Sequence, residues 1–181
     1  RSGAFIGMAH PSASLLTLVD AESIDAAHAV EVYNAVSAWE ERGDSWHLYD
    51  VLVSRGHRLL AYAADDAHFQ PQDPPGGAAW VQVKARALEP ESLLAALKAG
   101  HFYSSTGPTL EDVSVTGGEV TVRCSPASRI LITGGVPGKQ VAAGTSLTEA
   151  TLPLSLFRGS YFRVTVIDAA GGRAWSNPIW V

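Results

Sequence analysis

The chain changes character once, and that change constrains its fold more than any other feature. Up to "FYSSTGPTL" (102–110), short apolar runs alternate with segments of helical pattern; beyond it, β-branched runs follow one another, separated by Gly, Pro and Ser. In the first part, "AFIGMAH" (4–10), "AVEVYN" (29–34), "LLAYAA" (59–64) and "AAWVQVKA" (78–85) read as strands. A stretch near 20–28 reads as a short helix, "DSWHLYDVLVSRG" (44–56) as a helix capped by Asp44, and "PESLLAALKAG" (90–100) as a helix between Pro90 and Gly100. Strands alternating with helices predict parallel β/α units. In the second part, "VSVTGGEVTVRC", "RILITGG", "ATLPLSLF", "YFRVTVID" and "RAWSNPIWV" predict short antiparallel strands, with turns at Gly117-Gly118 and Ala170-Gly171-Gly172. The expectation is a β/α domain over residues 1–105 and a small antiparallel β-sandwich over 106–181.

Composition excludes several classes. The 181 residues are 46% hydrophobic and 17% charged, which fits a folded soluble chain rather than a disordered one. A net charge of −5 with no basic block argues against a nucleic-acid or anionic-membrane surface. No apolar run reaches the length of a membrane span, and the sequence does not fix a compartment. The single cysteine, Cys124, has no internal disulfide partner and reads as a small buried side chain. The opening Arg-Ser-Gly-Ala-Phe-Ile-Gly enters an apolar run almost at once, which suggests a processed chain or the later part of a longer one.

The candidate chemistry lies just past the strand-like runs. "LLAYAADDAHFQPQD" (59–73) stops at two aspartates followed by a histidine, a pattern that serves either as a surface turn or as a carboxylate–imidazole metal site. In parallel β/α folds, functional groups gather beyond the carboxyl ends of strands. His10 follows the first run, Asn34 ends the second, and Asp66 and His68 follow the third. This shared placement points to a metal site at His10, Asp66 and His68. Asp65 competes with Asp66, but the Asp-x-His spacing favours Asp66. Glu31, between Val30 and Val32, faces either the site or solvent, and Asn34 either supports the ligands or simply ends its strand. His28 and His57 precede strands, away from this end. The chain contains no nucleophile elbow, P-loop or dinucleotide fingerprint.

The segments "GMAHP" (7–11), "VEVYN" (30–34), "SRGHRLLAYAADDAH" (54–68), "GAAWVQVKA" (77–85), "LLAALKAGHFYSSTGP" (93–108) and "AWSNPIW" (174–180), taken in order, resemble the later part of the PHP (polymerase and histidinol phosphatase) superfamily of metal-dependent phosphoesterases. The closest likeness is to its carbaryl hydrolase-like metallohydrolases. The resemblance implies the C-terminal half of a distorted TIM-like β/α barrel followed by a β-sandwich accessory domain. It also implies two or three divalent metal ions (zinc, manganese or iron) that activate a water against a phosphoester substrate. His10, Asp66 and His68 match family ligands. The family's opening His-x-His motif has no counterpart here, so the expectation is a hydrolase site impaired in the isolated chain. A noncovalently held N-terminal fragment or a second subunit would complete it. The competing expectation is a non-catalytic binding or assembly module, with Trp175 or Trp180 at a partner surface.

Overall fold

A computed structural model of the chain describes residues 3–71 and 75–181. Part of the Pro/Gly-rich loop expected at 71–77, together with Arg1 and Ser2, lies outside the described residues. The chain divides into two units, residues 1–104 and 105–181.

In the first unit, β1 (Gly7–Met8), β2 (Ala29–Asn34) and β3 (Leu60–Ala64) form a parallel sheet in the order β1-β2-β3. Helices make the crossovers. α1 (Leu18–Glu22) starts at a capping box in which Thr17 accepts from the Asp20 amide and Asp20 accepts in return from the Thr17 amide. α2 (Ala35–Ala38) follows β2 directly, and α3 (Trp46–Ser54) leads into β3. Val30 and Val32 of β2, Ala61 and Ala63 of β3, and Tyr49, Leu52 and Val53 of α3 are all buried. Burial of this apolar set is the main force holding the layer together. Where β1 ends, the Gly43–Ser45 segment takes its place beside β2: Asn34 N–H donates to the Gly43 carbonyl (3.0 Å) and Ser45 N–H to the Val32 carbonyl (3.1 Å).

Parallel pairing stops at three strands. β4 (Trp80–Val83), α4 (Pro90–Lys98) and β5 (Phe102–Ser105) follow, and β4 and β5 lie outside the parallel sheet. The Lys84 N–H donates to the His101 carbonyl (2.8 Å), which sets the end of β4 beside the start of β5, so the two run antiparallel. The helix pattern at 90–100 is therefore an excursion within an antiparallel pair rather than a right-handed parallel crossover. The expected half of a TIM-like barrel does not form.

The expected β-sandwich is also corrected. β6 (Leu110–Thr116), β7 (Glu119–Gly134), β8 (Gln140–Pro153), β9 (Tyr161–Ile167), β10 (Arg173–Ser176) and β11 (Ile179–Trp180) belong to one connected antiparallel sheet. β7 is shared by its neighbours: its first half pairs with β6 and β8, its second half with β8 and β9. The runs "EVTVRC" and "RILITG" read as separate strands because Ser125-Pro126 interrupts them. In the structure one strand passes through, with register shifts on either side of Ala127 that absorb the proline. A strand that bends and pairs throughout its length yields a curled single sheet instead of two facing layers. Val120, Val122, Cys124, Ile130 and Ile132 of β7 pack with Phe157, Phe162, Val164, Val166 and Trp175 as the buried core of this unit. Trp180 is 40% exposed and stacks obliquely on Tyr161 (ring centroids 5.1 Å apart).

Candidate functional site

Glu31 is the buried centre of the polar cluster. It pairs in register with Tyr62 of β3 and is only 3% exposed. Its Oε2 accepts from the backbone N–H of His10 and from Asn34 Nδ2 (3.1 Å). The same Asn34 amide donates to Asp66 Oδ2 (3.1 Å), so one NH2 group holds two carboxylates, one on β2 and one in the loop after β3. Its Oδ1 accepts from the Ser37 amide (2.8 Å) and caps α2. Asn34 is thus committed at both ends.

This arrangement depends on a fault in β2. In a regular strand, residues i and i+3 point to opposite faces. The β2–β3 register shifts between Glu31 and Tyr33, so one residue is extra and Asn34 turns back onto Glu31. Two other members are held in left-handed backbone, His10 at φ 34° and Asp66 at φ 56°. Such conformations are uncommon for residues other than glycine and concentrate at functional sites.

Asp65 and Asp66 have separate roles. The Asp65 carboxylate accepts from the Gly77 amide (2.6 Å) and the Ala79 amide (2.6 Å), and its carbonyl accepts from Val36 N–H (3.2 Å). It clasps the neck of the loop that carries His68. Asp66 Oδ1 lies 4.0 Å from His68 Nε2, an ion-pair distance rather than a hydrogen bond, and the His68 side chain is 60% exposed. The His10 ring turns to Ser14: Nδ1 and Ser14 Oγ are 2.7 Å apart. With Nδ1–H donating to that hydroxyl, Nε2 keeps the lone pair a metal requires.

Among the expected ligands, Asp66 and His68 stand together, while His10 joins through its backbone bond to Glu31. His28 and His57 stand elsewhere, as their positions before strands imply: His28 Nδ1 accepts from Ile6 N–H (3.1 Å), and His57 Nε2 lies 3.9 Å from Glu22. Tyr62 was not singled out from sequence. Its hydroxyl donates to the Met8 carbonyl (3.3 Å), and it stands near enough to Glu31 and Asp66 for both charges to act on it. The signal that marks it is the glycine opposite. A Cβ on Gly7 would stand 2.5 Å from Tyr62 Cε1 and 2.9 Å from its hydroxyl oxygen.

Burial pushes the Glu31 carboxyl above its usual range, against the pull of the Asn34 and His10 donors, and the Asp66 charge adds to the rise. Burial, then the charges of Glu31 and Asp66, push the Tyr62 phenol up as well, so it stays protonated at working pH.

The donor types suit a divalent cation: two carboxylates and two imidazoles, one of them oriented by a hydroxyl. Among the described residues, however, no three His, Cys, Asp or Glu side chains are gathered as a metal-holding group. Comparison with protein-family models, with curated proteins and with solved structures finds no match to this chain.

Proposed function

We propose that this chain contributes part of the site of a metal-dependent hydrolase acting on phosphoesters, with Glu31, Asp66, His68 and His10 as the cation's protein donors. The observation that carries the reading is the Asn34 amide held between two carboxylates, one of them buried. Burying a carboxylate is costly, and a network that retains one usually uses it. The resemblance of "GMAHP" and "AADDAH" to PHP metallohydrolases supports His10, Asp66 and His68.

A divalent metal bound there would activate water and stabilise charge on phosphate oxygens. The chain's own residues prepare the place. Asn34 sets the spacing of Glu31 and Asp66 and holds both as acceptors. Ser14 orients the His10 ring through its Nδ1. The Asp65 clasp fixes where the His68 loop leaves the sheet. The shortfall in gathered ligands supports a companion, either an N-terminal polypeptide or a second subunit, that adds donors to the site.

The test is hydrolysis of p-nitrophenyl phosphate and bis-p-nitrophenyl phosphate with added Mn2+, Zn2+ or Fe2+. The 181-residue chain should be slow, and the product of its full reading frame faster. Asp66→Asn should lower the metal-dependent rate of the faster form by at least about tenfold. A full reading frame that hydrolyses neither ester with any of these metals would leave Asn34 as a helix cap in a binding module and refute the enzyme reading.

A further inference from the structure

We propose that the Tyr62 hydroxyl is the hydrogen-bond donor this site offers to a phosphate oxygen of its ligand, and that Gly7 is glycine in order to seat it. The proposal rests on the phosphoesterase reading above and adds a ligand-contacting residue to it.

A site built around two carboxylates repels an anionic ligand unless a cation and neutral donors face that ligand. The donors in this cluster are nearly all engaged. Asn34 Nδ2 serves Glu31 and Asp66 at 3.1 Å each, and the His10 amide serves Glu31. The Tyr62 O–H has the weakest commitment, a 3.3 Å bond to the Met8 carbonyl, longer than the usual 2.7–2.8 Å or so for this bond type. Turning it to a better acceptor would give up little.

Its position is specified from two sides. On β3, Tyr62 stands opposite Glu31 in register. On β1, any side chain at position 7 would collide with the phenol ring, and the nearest atoms to an added Cβ are Tyr62 Cε1, Cζ and the hydroxyl oxygen. Gly7 does not have a positive φ, so backbone conformation does not demand glycine there. Space for Tyr62 does. The Met8 carbonyl that now accepts the hydroxyl lies two residues before His10 in the chain, and the charges of Glu31 and Asp66 both reach the phenol. A phenol carries its proton at neutral pH, so the hydroxyl can donate without adding a third negative charge.

The experiment is calorimetric titration of inorganic phosphate into the chain saturated with Mn2+, for wild type, Tyr62→Phe and Gly7→Ala, together with the Mn2+ affinity of each. Tyr62→Phe should weaken phosphate binding about tenfold, as expected for loss of one hydrogen bond to a charged group, and leave Mn2+ affinity unchanged. Gly7→Ala should weaken phosphate similarly by displacing the ring. Equal phosphate affinity in wild type and Tyr62→Phe overturns the proposal while leaving the hydrolase reading standing. Loss of Mn2+ affinity in Tyr62→Phe also overturns it, since the hydroxyl would then be structural. No phosphate binding by the Mn2+-loaded wild type contradicts both.

Discussion

Glu31 is a residue whose placement opposes its own ionisation. It is almost fully buried on a strand between two valines, and among the described residues its carboxylate accepts from the Asn34 amide and the His10 N–H. Its carboxyl is raised by burial first and by Asp66 last. The fold therefore binds a proton at Glu31 more readily than the unfolded chain does. The stability linked to this proton is complete below the unfolded carboxylate value and is lost as pH rises through the raised folded value. Glu31→Gln keeps an oxygen for both donors and removes the charge. It should raise the unfolding free energy measured by urea denaturation at pH 7–8 by roughly 0.5–2 kcal/mol, and the gain should shrink toward zero at acid pH. A Glu31→Gln chain no more stable than wild type at pH 8 would contradict this electrostatic account. At this scale the sequence was informative about positions and silent about roles. His10, Glu31, Asn34, Asp66 and His68 could be picked out as polar residues at strand ends. That Asp65 is a clasp and Tyr62 a neighbour of both carboxylates depends on amides and a glycine 12 to 55 positions away.

Among the elements, β2 and β7 show why periodicity predicts strands better than it predicts their faults. A two-residue alternation places Asn34 on the face opposite Glu31, yet the register shift after Glu31 brings them into one network. Nothing in "AVEVYN" announces the extra residue. β7 fails in the opposite sense: Pro126 looks like a terminator and is instead taken up in an irregular stretch of a 16-residue strand. Its far end is set by close approach. Gly134 stands opposite Phe162, and a Cβ there would come within 2.8 Å of the Phe162 Cα. β9 is buried along nearly its whole length and cannot retreat without opening the core. Gly134→Val should therefore cost about 2 kcal/mol or more of unfolding free energy by urea denaturation. A change within about 0.5 kcal/mol would show that β7 and β9 separate more easily than this packing implies.

Taken as a whole, the chain joins a three-stranded parallel layer to strands that are antiparallel, and this combination defeated the barrel expectation. The sequence pattern of strand, helix, strand over 80–105 is the same for a parallel crossover and for an antiparallel pair with a helix in its connection; the Lys84–His101 bond decides between them. The polar cluster survives that correction, because it depends only on the ends of β1, β2 and β3 and on the loop clasped by Asp65. No described helix is long and apolar enough to cross a membrane. The central claim, that Glu31 and Asp66 bridged by Asn34 form the core of a cation-dependent site, is most directly tested by calorimetric titration of Mn2+ into the wild-type chain, Glu31→Gln and Asp66→Asn, each confirmed folded by its urea transition. The account predicts saturable binding to wild type, weakened at least about tenfold in each variant, since each removes a charged donor from the cluster. Mn2+ affinity that is the same in all three chains would contradict it.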